Sequence, residues 1–334
     1  MFIPLLITTA KRKPDMHLNQ VGNRLIAGLL FWTLGALLAG CSLVPGSYFS
    51  QSSGRPTRAM VENVPFFPQE EQQCGPAALA MVLTWSGVSV QPSDLISEVY
   101  TPGLKGSLQN SVIGATRRHG RVAYPIDGIE SLMSEIAAGE PVIVLVNLGF
   151  FWSPQWHYGV VIGYDQKEGK IILHSGFTAE EVLSFWAFNN IWKRSDYWGL
   201  LVLPPDRVPE VAEENKWLAA VAGLEKAEQW QAAATGYTAA LKRWEKSFIA
   251  WMGLGNSKYN LHDLDAAAIA FHQATQLRPE SGIAYNNLAN VLGEQGKLDK
   301  ALKAAQRAVE IGGPFQDTFR QTLAEIKSRE LNKR

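Results

Sequence analysis

Val64-Pro65-Phe66-Phe67-Pro68-Gln69-Glu70-Glu71-Gln72-Gln73-Cys74-Gly75-Pro76-Ala77-Ala78-Leu79-Ala80-Met81-Val82-Leu83 is the stretch on which the reading of this chain turns. A helix is expected to begin just after Cys74. Pro76 suits the first helical turn, where a missing N–H costs nothing. Ala77 to Trp85 are good helix formers, and Gly87 is a natural stop. A cysteine at a helix N-terminus faces unpaired N–H groups and the positive end of the helix dipole. Both favour thiolate over thiol, which predicts a nucleophilic sulfur at neutral pH. Gly75 and the two alanines after Pro76 leave room beside the sulfur for a substrate backbone. The side-chain amide of Gln69 is placed to reach back and steady an oxyanion during acyl transfer. An isolated Cys-Gly-Pro is more often a buried cysteine at the head of a core helix, so the assignment needs a histidine downstream.

Working outward, the 334 residues allow two or three domains at about 100–200 residues each. The formal net charge is zero, which gives no global pull towards nucleic acid. The two cysteines are Cys41 and Cys74. If Cys41 serves elsewhere, Cys74 is a lone thiol without a disulfide partner. No His/Cys/Asp/Glu cluster has metal-ligand spacing, and no cofactor is implied.

Upstream, Lys11, Arg12, Lys13 and Arg24 precede an apolar run from Leu25 to Leu38, which ends Leu38-Ala39-Gly40-Cys41. A basic region, a short apolar core and small residues before a cut make an export signal. The run is short against the roughly 20 residues of a spanning helix. The ending resembles a bacterial lipobox. That resemblance implies a signal peptide over 1–40, lipid on Cys41, and Ser42 directing the product to the outer membrane, facing the periplasm. The basic region is long enough for Met16 to be an alternative start. Residues 41–60, rich in Ser, Gly and Pro, are expected to be a flexible tether.

Residues 61–205 read as one globular region. Helices are expected over Pro92 to Val99 with Ser93 as N-cap, over Ser107 to His119, and over Ile129 to Ala138. The period then changes. Pro141 to Leu148, Tyr158 to Tyr164, Lys170 to Leu173 and Tyr197 to Leu203 read as strands, the middle two as a hairpin. Helices first and antiparallel strands second is an α+β layout. His157 opens the second strand in Trp156-His157-Tyr158-Gly159-Val160-Val161. An imidazole there can take a thiol proton and return it to a leaving amine. His119, at a helix end, reads as a dipole partner. Phe150, Phe151, Trp152, Trp156, Phe185, Trp186, Phe188, Trp192 and Trp198 are dense around the expected base, as core or as an apolar substrate groove.

The Gln-x₄-Cys-Gly-Pro-Ala-Ala-Leu-Ala-Met string, with His157 on a later strand, resembles the bacteriocin-processing (double-glycine leader) peptidases, which are papain-fold cysteine peptidases. The resemblance implies Cys74 as nucleophile, His157 as base and Gln69 at the oxyanion. It also implies an aspartate at the end of the next strand to orient the imidazole. The matching place reads Leu173-His174-Ser175-Gly176, with no carboxylate. His174, Asp165, Asn147 and Asn189 are alternatives, and the orienting residue stays unassigned.

Residues 206–213 read as a linker after Pro204 and Pro205. Over 214–334 the sequence is helical with a period of 34. Trp217, Trp251 and Tyr285 fall in register, as do Ala233, Ala267 and Ala301, then Ala240, Ala274 and Ala308, then Tyr237, Phe271 and Ala305. This pattern resembles three tetratricopeptide repeats, with a capping helix from Phe315 to Leu331. It implies an all-α solenoid that offers a groove to a protein partner.

The expectation is therefore a papain-like cysteine peptidase domain followed by a tetratricopeptide-repeat solenoid, held at the membrane by lipid on Cys41. It would act on a peptide or protein substrate without cofactor or nucleic acid. The alternatives are an inactive papain-like binding or scaffold lipoprotein, and a thiol-dependent acyl transferase.

Overall fold

The structure is a computed structural model that describes residues 54–69, 73–150 and 152–331. The expected signal peptide, Cys41 and most of the tether lie outside the described residues. The tether expectation is corrected at its end. Arg58–Met60 forms a strand, β1, paired antiparallel with residues 163–165. Arg55 also donates to the Glu130 carboxylate at 2.8 Å.

After β1 come α1 (Cys74–Trp85), α2 (Pro92–Val99), the short β2 (Tyr100–Thr101) and β3 (Gly106–Ser107), α3 (Gln109–Arg118), β4 (Val122–Asp127) and α4 (Gly128–Ala137). Then follow β5 (Val142–Asn147), β6 (Trp156–Asp165), β7 (Lys170–Ser175), β8 (Thr178–Ser184), α5 (Phe185–Trp192) and β9 (Trp198–Leu203). The larger sheet runs β4-β9-β5-β6-β7-β8, with β1 added beside β6, and every pairing in it is antiparallel.

The α+β reading holds for this half. The apolar run expected over 141–148 is β5, in the interior of the sheet between β9 and β6. Helix α1 is apolar all round, and every residue from Gly75 to Leu83 is buried, as such a helix must be. It packs on β6. Leu79, Met81 and Leu83 share a core with Ile143, Val160, Ile162, Leu200 and Val202. At about 1.5–3 kcal/mol per fully buried large apolar side chain, this packing fixes where the head of α1, and with it Cys74, must sit.

Four local expectations change. Val122–Asp127 is the edge strand β4 rather than a stretch between helices. Thr178–Ser184 and Phe185–Trp192 are a strand and a helix where none was expected. Helix α2 spans the expected Pro92–Val99, but its N-cap is Gln91 rather than Ser93: Asp94 accepts the Gln91 N–H at 2.9 Å and closes a capping box. His119 does end α3, but its Nε2 pairs with the Glu98 carboxylate at 3.0 Å.

The second half is α6 (Glu214–Lys226), α7 (Trp230–Arg243), α8 (Phe248–Asn260), α9 (Leu264–Leu277), α10 (Gly282–Glu294), α11 (Leu298–Ile311) and α12 (Gln316–Leu331). Successive helices pack as hairpins, consistent with a tetratricopeptide solenoid, and α12 closes the end against α10 and α11. The seven in-register alanines are all fully buried. Tyr237 of α7 and Phe271 of α9 lie against Gly253 and Gly255 of α8, the helix between them. Ser247, Asp263 and Ser281 cap α8, α9 and α10 by accepting N–H groups three residues on.

The two halves are tied by buried contacts. Helix α6 packs on β4. Trp217 is fully buried with its ring 6.3 Å from that of Tyr124, whose hydroxyl accepts the Glu213 N–H. The connecting segment is held from both sides. Glu135 accepts the Val211 N–H at 2.8 Å, Glu140 pairs with Arg207 at 2.9 Å, and Arg243 donates to the carbonyls of Pro209 and Glu210.

Candidate active site

Three separate segments bring Cys74, His157 and Gln69 to one cleft of about 1290 Å³. Cys74 is the first residue of α1 and is half-buried. Gly75 follows it because the chain passes hard against β3: a Cβ there would sit 2.3 Å from the Ser107 hydroxyl oxygen. Ser107 also lines the cleft, and its hydroxyl is buried without a hydrogen-bond partner.

The helix-head argument predicted a thiolate, and this expectation is corrected. Burial is the largest influence on Cys74 and pushes its thiol above the ordinary value. The backbone N–H groups of Tyr158, Gly75 and Cys74 itself pull the other way and do not overcome it. An anion loses more from leaving water in this cleft than it gains from the N–H groups at the helix head. His157 is shifted in the matching direction: burial holds its imidazole below the ordinary value. At neutral pH both groups rest uncharged.

Gln69 is buried and held at three points. Its Nε2–H donates to the Tyr158 carbonyl at 3.1 Å, its Oε1 accepts the Gly176 N–H at 3.2 Å, and its own N–H donates to the Gly176 carbonyl at 3.0 Å. An amide has two N–H donors, so one stays available to the cleft. Gly176 opens the turn between β7 and β8 with φ +56°, a conformation that suits glycine.

The imidazole's hydrogen bond goes to Ser175, with 3.1 Å between Nε2 and the hydroxyl oxygen, and not to the sulfur. The candidates weighed from the sequence are all engaged elsewhere or distant. His174 is buried and turned away: its Nε2–H donates to the Val64 carbonyl at 3.1 Å, and its Nδ1 accepts the Glu180 N–H at 3.1 Å. Asn147 accepts the N–H groups of Gly149 and Gln155, which fixes the loop between β5 and β6. Asp165 ends β6 opposite Lys170, and Asn189 lies on α5. Ser175 was not singled out in the sequence, since a serine one position past the expected place carries no distinguishing signal.

The cleft is apolar at its rim. Leu104, Leu108, Leu148, Trp156 and Phe177 line it and are each more than half exposed or close to it. Phe150 and Trp152, exposed in the adjoining loop, stack with their ring centroids 4.7 Å apart. Phe185, Phe188 and Trp192 are core instead.

Two stretches of the chain match known families. Residues 61–197 match the Peptidase_C39 like family, and residues 218–270 and 253–316 match the tetratricopeptide repeat. Among solved structures, a C39-like protein from Bacillus anthracis covers 46% of this chain and 99% of its own, at 18% identity and a TM-score of 0.37. The type III secretion chaperone SycD of Yersinia enterocolitica, solved with a peptide of the translocator YopD, covers 36% of this chain and 98% of its own, at 15% identity and a TM-score of 0.34. A MamA double mutant covers 36% and 67%, at 21% identity and 0.34. No curated protein is similar enough to match. A C39-like domain joined to tetratricopeptide repeats is an architecture for peptidase-like work, for repeat-mediated binding, or for both.

Proposed function

We propose that the chain is a lipid-anchored cysteine peptidase of the bacterial outer membrane, facing the periplasm, with lipid on Cys41. The observation that supports it most is the shared cleft: a free thiol at the head of a buried helix, an imidazole on β6 and a tethered amide all line one cavity. In this reading Nδ1 of His157 takes the thiol proton as Sγ attacks the peptide carbonyl carbon. The carbonyl electrons move onto oxygen, which the free Gln69 N–H and the Cys74 backbone N–H stabilise. The imidazolium returns the proton to the amine nitrogen as the C–N bond breaks. A water molecule, losing a proton to the same nitrogen, then adds to the thioester and releases the acid and the thiol. The repeats recruit a peptide or protein partner. A cavity of about 430 Å³ lined by Asn256, Tyr259, Phe271, Asn287, Asn290 and Arg329 supports that role.

The test is to incubate wild type, Cys74→Ser and His157→Ala with a peptide mixture and identify products by mass. Products formed by wild type only, with masses of plain hydrolysis, are the expected result. Products that incorporate an added amine would make the chain an acyl transferase. A Cys41→Ala variant that moves from the membrane to the soluble fraction tests the anchor.

One observation favours a second reading, a binding module that does not cut. The sulfur and imidazole are not hydrogen-bonded to each other, and both rest neutral. A peptide carrying a thiol-reactive electrophile separates the two. An enzyme labels Cys74 far faster than a free thiol and loses that advantage in His157→Ala; a binder labels no faster than a free thiol.

A further inference from the structure

The hydrogen bond between His157 and Ser175 has a chemical consequence for whichever histidine nitrogen does the work. An imidazole has two nitrogens, and the partner of one decides the protonation of the other. Nε2 of His157 is the nitrogen engaged by the Ser175 hydroxyl, at 3.1 Å. That leaves Nδ1 as the nitrogen not engaged by Ser175, in a cleft that Cys74 also lines. Ser175 is itself firmly placed. It is the last residue of β7, where the pairing register with β8 shifts after Leu173. The residue after it is tied by both its N–H and its carbonyl to Gln69. The preceding His174 is locked in place through both ring nitrogens. The stretch 174–176 is thus clamped on either side of Ser175, and the serine hydroxyl meets the imidazole of His157.

We propose that Ser175 is the positioning residue of His157: its hydroxyl accepts the Nε2–H, fixes the ring and keeps the Nδ1 lone pair available as the base. The proposal rests on His157 serving as the base in the reading above. A hydroxyl differs from a carboxylate in one respect that matters. It holds the ring and selects the tautomer, but it supplies no charge to stabilise imidazolium. The site is therefore built to act from neutral thiol and neutral imidazole, with the ion pair arising only as the carbonyl is attacked.

The experiment uses the full chain with ¹⁵N-histidine, the His157 signals being assigned through a His157→Gln variant. In wild type, His157 should be the Nε2–H tautomer. Ser175→Ala should mix the tautomers and lower kcat by about tenfold, a part of the ~10²–10⁴ that base catalysis contributes as a whole, with KM little changed. Ser175→Thr, which keeps the hydroxyl, should restore both. Ser175→Asp should raise the His157 pKa by about 1–3 units, as a nearby opposite charge does, and move the acid limb of the rate profile up with it. A wild-type Nδ1–H tautomer overturns the proposal. So does a Ser175→Ala protein, folded by circular dichroism, whose tautomer and pH profile match wild type. The tautomer measurement needs no turnover. If it responds to Ser175 as stated while no peptide is cut, Ser175 positions His157 and it is the peptidase reading that fails.

Discussion

Cys74 heads a helix, yet its thiol is harder to ionise than an ordinary one, and that ordering sets the expected pH behaviour. With burial holding the His157 imidazole below its ordinary 6.5, the nitrogen stays basic to lower pH. The acid limb of kcat/KM should then fall below pH 6.5. With the thiol raised above its ordinary 9.0, ultraviolet titration of thiolate in wild type against Cys74→Ser should show ionisation only above that value. A thiolate at pH 7 would contradict this. Gln69→Ala should lower kcat by about 10²–10³-fold, the usual loss for one oxyanion donor, as read in steady-state kinetics. Part of this site was legible in the residues. Cys74 before Gly75-Pro76, Gln69 upstream and His157 at a strand start are types whose chemistry is specific to their spacing. Ser175 was not legible, because serine is common and its bond depends on a register shift between β7 and β8 that no local pattern encodes. The raised thiol was misjudged for a related reason. The helix-head contribution is local in sequence, while the burial that outweighs it comes from β3 and β6, distant in the chain.

Helices and interior strands with strong periodicity were readable, and their packing makes testable demands. Gly255 sits under Phe271, and a Cβ there would lie 2.5 Å from the ring. Alanine gains about 1 kcal/mol in helix propensity over glycine, but overpacking against a rigid ring costs about 1–3 kcal/mol. Gly255→Ala should therefore destabilise, lowering the thermal midpoint; an unchanged or higher midpoint would show that the interface yields. Two strands missed from sequence share a cause. β4 contains Pro125, which argues against a central strand and is tolerated because β4 is an edge. β8 reads Thr-Ala-Glu-Glu-Val-Leu-Ser and is largely exposed, so it lacks the apolar alternation that marks a half-buried strand. Each is an edge strand, held by pairing more than by its own side chains.

At the scale of the whole chain, the junction between the C39-like domain and the repeats is buried and titratable. Burial pushes Glu135 and Glu140 up to about 7. Between the ordinary 4.5 and about 7 the native carboxylic acids keep protons that the unfolded chain has released. Stability should then fall as pH rises through that window. His157 works the opposite way below 6.5, so the clean measurement is a difference. The thermal midpoint of Glu135→Gln relative to wild type should climb from about pH 4.5 to about pH 7 and then level off; a flat difference would remove Glu135 from the account. Trp217→Ala should cost about 3–5 kcal/mol, as for a large buried aromatic, and split thermal unfolding into two transitions as the halves uncouple. Helix α12 finishes the solenoid at its far end. At its near end Trp217 meets Tyr124 and α6 meets β4, so the enzyme-like half stands where a free-standing array would need a polar terminal repeat. Shortened to its repeats alone, this protein would expose a raw, oily end and clump with its own kind. The C39-like half is therefore also the stopper that covers the near end of the solenoid.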